Sequence, residues 1–403
     1  MSNFKKLFPT AVLSLILAGT AIGLKTEQKE PEKEKIENTA KPDKNILILG
    51  WDGVQRDEFF DCYNKEEKDC PDGLPNILKL SEDNIFEMTI TNGQSCTKPG
   101  WSQIFTGYEV EDLGIYDNLR FEPMSEGYTV FERLEDHFGD NITTIFIGGK
   151  DGNIGGKCKL SNSGEIITGE PWCRTKSNID HYEIHIGVVS EVSERTFEIL
   201  EEIKDERFFM FVQYKEPDFP GIHFFTADSN EYRRELRAVD TELGRIMDWL
   251  KENNLDDDTI VYVITDHGAG SGLAHRNAPY GIFATTDERV MREADRMDFA
   301  PTWLEFYGLD PDTYLPEIDG TSLYQLHDLQ CIPEGSAYLD YKGAPECCPG
   351  LESISLEKDY IHGRPACVTP VGDVTDNSGY CTDCGNGSCD KPENKCNCPE
   401  DCK

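Results

Sequence analysis

Apolar positions along this chain fall into two rhythms. Continuous apolar runs with β-branched or aromatic content occupy 46–49, 143–147, 208–212, 259–264 and 280–284. Runs of that length and content predict buried strands. Between them, segments near 74–82, 129–138, 186–204 and 230–253 predict helices. In the last, Leu236, Val239, Leu243, Ile246 and Leu250 recur at spacings of three and four, which places them on one helical face. Continuous strands alternating with helices predict an α/β fold, with a mainly parallel central sheet flanked by helices. The pattern holds over 45–330. Residues 331–403 lose it and are rich in Cys, Gly, Pro and Asn; their last 23 residues hold six cysteines. This region is expected to be a small Cys-rich tail stapled by disulfides, a stabilising or surface-association module.

The N-terminus follows other rules. Lys5 and Lys6 precede an uncharged stretch over 7–24 that ends in small residues, the layout of a signal peptide or membrane anchor. Residues 25–44 are almost wholly charged or polar and read as a solvated linker. An exported chain is consistent with fifteen cysteines, whose spacing in an oxidising compartment reads as disulfides of undetermined connectivity. The odd count leaves at least one thiol unpaired, and Cys96 is the candidate. An extracytoplasmic location is therefore expected, secreted or at the cell surface.

Charge narrows the partners. With 39 Lys plus Arg against 76 Asp plus Glu, the net charge is −37. Such a surface repels phosphate backbones, so nucleic-acid duplex binding is not expected. A small anionic ester is not excluded, because a local metal site overrides net charge.

Ligand sites in parallel α/β sheets lie beyond the carboxyl ends of the strands. Asp52 follows the first run; Glu216-Pro217-Asp218 and then His223 follow the run at 208–212. Asp266-His267-Gly268 follows the run at 259–264, and His275 comes eight residues after His267. A lone Asp-Gly is ordinarily a turn, and a lone Asp-His a hydrogen-bonded loop. Four such elements in order, all at strand ends, point instead to divalent metal held by mixed His and Asp ligands, with zinc or manganese fitting the donor set. Thr97-Lys98-Pro99-Gly100 looks like a helix start with Pro99 in the first turn, which would set Thr97 at or near the cap, where anions are favoured. A threonine hydroxyl becomes a nucleophile only when a base or metal activates it.

Together these segments resemble the alkaline phosphatase superfamily over roughly residues 45–325, especially its nucleotide pyrophosphatase/phosphodiesterase and sulfatase-like branches. Thr97, Pro99, Thr106 and Gly107 reproduce the phosphodiesterase Thr-x-Pro segment that ends nine residues later in Thr-Gly. The resemblance implies Thr97 as the covalent nucleophile and two metal ions. One would be held by Asp52, Asp266, His267 and Thr97, the other by Asp218, His275 and His223. Segments 298–304 and 319–323 resemble the closing segments of sulfatase-like members.

Two departures stand out. Gly221 and His223 are separated by Ile222, where the family usually has Gly-His. Gly100 stands where many phosphodiesterases carry an asparagine that binds a phosphoryl oxygen. Lys98 and Lys150 are the candidate substitutes for that donor. Formylglycine sulfatases need Cys-x-Pro-x-Arg, and Cys96-Thr97-Lys98-Pro99 does not supply it. The expectation is an exported metal-dependent hydrolase of phosphate esters, chiefly phosphodiesters. Sulfate or phosphonate ester hydrolysis is the alternative, and an inactive cell-surface binding scaffold the third. Oligomeric state is open.

Overall fold

The computed structural model describes residues 41–81, 85–219, 226–269, 278, 280–290 and 292–324. Of the C-terminal region it describes 331–332, 334, 337–338, 347–355, 358–361, 364–368, 379–390 and 393–403. The signal or anchor segment and most of the linker lie outside the described residues. No described helix is long and apolar enough to cross a membrane.

In chain order the strands are β1 (Asn45–Asp52), β2 (Ile85–Thr89), β3 (Thr143–Gly148), β4 (Cys158–Leu160), β5 (Ile166–Gly169), β6 (His181–Glu183), β7 (Phe208–Pro217), β8 (Thr259–Thr265), β9 (Tyr280–Thr285) and β10 (Ala294–Asp295). The helices are α1 (Arg56–Tyr63), α2 (Pro75–Ser81), α3 (Thr97–Thr106), α4 (Val110–Leu113), α5 (Val130–Phe138), α6 (Val189–Ile203), α7 (Asn230–Glu252) and α8 (Phe299–Phe306).

Eight strands form one sheet in the order β10-β2-β9-β8-β1-β7-β3-β6. The predicted strands β1, β3, β7 and β8 pair in parallel at its centre. β9 departs from this: it runs antiparallel to both β8 and β2, so the sheet is mainly but not wholly parallel. β4 and β5 make a separate antiparallel hairpin.

Strand alternation sorts the core into two layers. Ile46, Ile48, Phe146, Phe209, Phe211 and Tyr262 face α3, α5 and α8, together with Trp101, Phe105, Phe131 and Trp303. Leu47, Leu49, Ile145, Ile147, Met210 and Val212 face α1, α2, α6 and α7, where the predicted stripe from Leu236 to Leu250 is fully buried. α5 begins with a reciprocal capping box between Thr129 and Glu132.

The C-terminal region builds β11 (Ala337–Tyr338), β12 (Glu352–Ser355), β13 (Lys358–Ile361), β14 (Arg364–Val368) and β15 (Gly379–Thr382). They form a three-stranded sheet, β11-β15-β12, and a hairpin, β13-β14. Five disulfides staple the region: Cys331–Cys348, Cys347–Cys381, Cys367–Cys396, Cys384–Cys398 and Cys389–Cys402. Ile354 and Tyr380 pack on Tyr280 of β9, so the tail rests on the sheet. Cys62–Cys70 and Cys158–Cys173 complete the pairs, and Cys96 is the free thiol, buried.

Candidate active site

Three loops leave the carboxyl ends of β1, β7 and β8 on the same side of the sheet, and each delivers an acid. Asp52 closes β1, Asp218 follows β7, and Asp266 with His267 follows β8; all four are buried. The turn after β1 is tight. Gly53 has φ +68°, and a Cβ there would lie 2.7 Å from the Asp218 Cβ and 3.0 Å from His267 Cε1. Only glycine lets those loops close together without strain. The Gly53 N–H donates to Asp266 Oδ1 at 3.1 Å, and the Tyr232 hydroxyl donates to the Gly53 carbonyl at 3.1 Å.

Thr97 comes from α3. Cys96 is the cap residue, and Thr97 is the first helical residue, one position inside the expected cap. Pro99 sits in the first turn, where its missing N–H costs nothing, and the first helical bond runs from Gly100 N to Cys96 O at 3.0 Å. Two further contacts fix the approach to this helix. The Ser95 hydroxyl reaches the Ala278 carbonyl at 2.7 Å and the Gly268 carbonyl at 3.2 Å. The buried Arg296 guanidinium donates to Gln103 Oε1 at 2.5 Å, to Asn92 O at 2.9 Å and to Gln94 O at 3.1 Å.

The Thr97 hydroxyl therefore lies 3.3 Å from His267 Nε2, 3.5 Å from Asp52 Oδ1 and 3.4 Å from Lys150 Nζ. Lys150, from the loop after β3, also pairs with Asp52 Oδ2 at 2.5 Å. The other candidate lysine goes elsewhere. Lys98 Nζ donates to the Asn118 carbonyl at 3.2 Å and lies over the Phe121 ring, anchoring the loop after α4. His223 and His275 lie outside the described residues.

Electrostatics match the crowding. Burial pushes the Asp266 carboxyl up to about 7, Asp52 repels its charge further, and His267 and Lys150 partly offset both. Burial disfavours the His267 cation, yet Asp266 and Asp52 more than reverse this and raise it to about 9. Burial likewise opposes the Lys150 charge, and Asp52, Asp218 and Asp266 hold its pKa above the ordinary lysine value.

Would a metal fit? Ligand atoms of Asp52, Asp266 and His267 lie within 4.8 Å of one another. Asp266 Oδ2 is buried without a hydrogen-bond partner, and His267 Nε2 faces it at 3.6 Å, beyond hydrogen-bond reach. A buried carboxylate oxygen left in this way is costly unless a cation meets it. His267 Nδ1 lies 2.9 Å from the Gly268 carbonyl, which only accepts, so Nδ1 carries a proton, and Nε2 faces the acids, where a bound cation would take the place of its proton. The donor set fits a divalent cation.

Sequence reasoning missed Gln213. Phe208, Met210, Val212 and Tyr214 face one layer, Phe209 and Phe211 the other. Gln213 continues the second set, a polar residue at an interior position. That break in the pattern was its only signal in the sequence.

The family profile described as type I phosphodiesterase / nucleotide pyrophosphatase matches residues 46–317. An uncharacterized pyrophosphatase/phosphodiesterase of Schizosaccharomyces pombe is 23% identical over 261 residues, 59% of this chain and 51% of that protein. Human ectonucleotide pyrophosphatase/phosphodiesterase family member 1 is 28% identical over 210 residues, 49% of this chain and 21% of that protein. The chain thus spans about half the length, or less, of these curated relatives. Among solved structures, a protein in complex with its substrate D-glucosamine-2-N,6-O-disulfate superposes with a TM-score of 0.51 at 14% identity, covering 76% of this chain and 85% of that one. That likeness speaks for a shared, alkaline phosphatase-like fold. The profile match takes in Asp52, Thr97, Asp218 and Asp266 together with the sheet that presents them, and on it the chain belongs to the type I phosphodiesterase / nucleotide pyrophosphatase family.

Proposed function

We propose that this protein is an exported, divalent-metal-dependent hydrolase of phosphate esters, acting on phosphodiesters through a phosphothreonine at Thr97. The observation that carries the reading is the setting of the Thr97 hydroxyl, buried between Asp52, His267 and Lys150 at 3.3 to 3.5 Å. A threonine that served only to start a helix would need none of these neighbours.

Asp52, Asp266 and His267 would hold one divalent ion; Asp218, with His223 and His275, would hold a second, zinc or manganese in each case. Bound there, the ions supply positive charge that favours the Thr97 alkoxide and neutralises the phosphoryl oxygens. Thr97 Oγ1, its proton given up to water, then attacks phosphorus in line; the new O–P bond forms as the bond to the leaving alkoxide breaks, and the alkoxide takes a proton from water to leave as the alcohol. Lys150 Nζ, 3.4 Å from Thr97 Oγ1, is placed to donate to a non-bridging oxygen of the phosphoryl group carried on Thr97. Water then opens the phosphothreonine, restoring the hydroxyl and releasing a phosphate monoester. Relatives named as nucleotide pyrophosphatases make nucleoside phosphodiesters and phosphoanhydrides the first natural substrates to try. Seven disulfides support an extracytoplasmic setting.

The test is turnover of matched nitrophenyl esters (diester, monoester, phosphonate and sulfate) with and without chelator, beside Thr97→Ala. Chelator-sensitive preference for the diester, abolished in the variant, is the expected result. Sulfate preference would overturn the substrate class, and unchanged turnover in Thr97→Ala would overturn the covalent step.

A further inference from the structure

Gln213 lies at the centre of the sheet, fully buried, with Gly50 of β1 and Gly148 of β3 as its in-register neighbours. Its Nε2 donates to Asp52 Oδ2 at 2.6 Å. Because a carboxylate oxygen only accepts, the amide must present its NH2 group there. Lys150 Nζ meets the same oxygen at 2.5 Å. Asp52 Oδ2 therefore carries two donors from two different strands' ends, while Oδ1 faces Thr97 Oγ1 and His267 Nε2, each at 3.5 Å.

We propose that Gln213 is a positioning residue that locks the Asp52 carboxylate, so that it meets a divalent cation through Oδ1 alone. The inference rests on Asp52 being a metal ligand. A side chain kept merely to fill space beyond Phe211 would be apolar, as Phe209 and Phe211 on the same face of β7 are. An amide there has a cost: Gln213 Oε1 is buried with no hydrogen-bond partner, which methionine or leucine would avoid. The compensating use is the single N–H···O bond to Asp52, made across 161 residues of sequence. Groups that orient metal-binding carboxylates from behind act in this way: they fix the ligand's rotation and leave one lone-pair direction open.

The experiment compares wild type with Gln213→Met, which has similar volume and no donor, and Gln213→Asn, whose amide is one methylene too short. Zinc and manganese dissociation constants are measured by competition with a chromogenic chelator. Melting temperatures are measured on chelator-stripped protein. Both variants should bind metal about 10- to 100-fold more weakly. Stripped Gln213→Met sheds the unpartnered oxygen but also one donor to Asp52 Oδ2, which keeps Lys150, so the two effects oppose and it should melt close to wild type. An unchanged dissociation constant in either folded variant overturns the role of Gln213, and so does a lowered melting temperature with metal affinity intact. Wild type that takes up no metal overturns the metal-site reading as well, so the two failures are distinct. Should Gln213→Met not fold, Gln213→Asn carries the comparison.

Discussion

Replacing Gly100 by alanine is the most demanding check on the way α3 meets the site. A Cβ at position 100 would lie 2.6 Å from the Asp266 carbonyl oxygen and 2.9 Å from the Asp266 Cβ. Ordinary contact begins near 3.4 Å, so the helix and the end of β8 must separate by about 0.8 Å. Two effects on stability oppose each other. Alanine gains about 1 kcal/mol over glycine in a helix, whereas overpacking against backbone costs about 1–3 kcal/mol. The net loss is about 0–2 kcal/mol. Spread over the roughly 310 described residues, with an unfolding entropy of about 0.65 kcal/mol/K, that is a fall in Tm of at most about 3 °C.

Activity should respond far more. The displaced pair are Thr97, one turn away, and Asp266, a proposed metal ligand, and a shift near 1 Å in reacting groups costs about 100-fold. The assay is kcat/KM on a bis-nitrophenyl phosphodiester at saturating metal, beside a thermal melt. A Gly100→Ala enzyme within twofold of wild type would refute the claim that α3 packs directly on the metal ligand.

Lys150→Met should lower kcat/KM about 100- to 1,000-fold, as for loss of one oxyanion donor; equal activity would remove Lys150 from the site's chemistry. Glu135 offers a pH test away from the site. Burial pushes its carboxyl up to about 8, the Thr144 hydrogen bond resists this, and Asp180 adds to it. The folded-state value is above the unfolded one, so this contribution to stability is complete below about pH 4.5 and lost as pH rises through 8. Glu135→Gln keeps the acceptor for Thr144 Oγ1, which lies at 2.7 Å. It should match wild type at pH 5 and melt about 1–2 °C higher at pH 9, and parallel melting curves at both pH values would contradict the assignment.

Much of this protein is written locally. The apolar runs at 46–49, 143–147, 208–212 and 259–264 became the four central strands, because a continuous apolar run has nowhere to go but a sheet covered on both faces. The helical stripe from Leu236 to Leu250 was legible for the same reason: its period is a property of one helix. Asp52, Asp218 and Asp266-His267 were legible because strand ends are where such sheets build sites.

What the sequence did not carry is long-range. The antiparallel setting of β9 depends on its partners β8 and β2, and nothing in its own residues encodes direction. Lys98, beside Thr97 in sequence, was pulled to Asn118 and Phe121, while Lys150, 53 residues away, arrived at the hydroxyl. The ten tail cysteines admit many pairings, and the fold selected five. Gln213 found Asp52 only because β1 and β7 pair in one register. Periodicity and turn chemistry are properties of neighbouring residues, so the sequence alone determined the elements and the acids at their ends. Which side chains meet depends on how distant strands pair and loops close, and only the tertiary structure decided that.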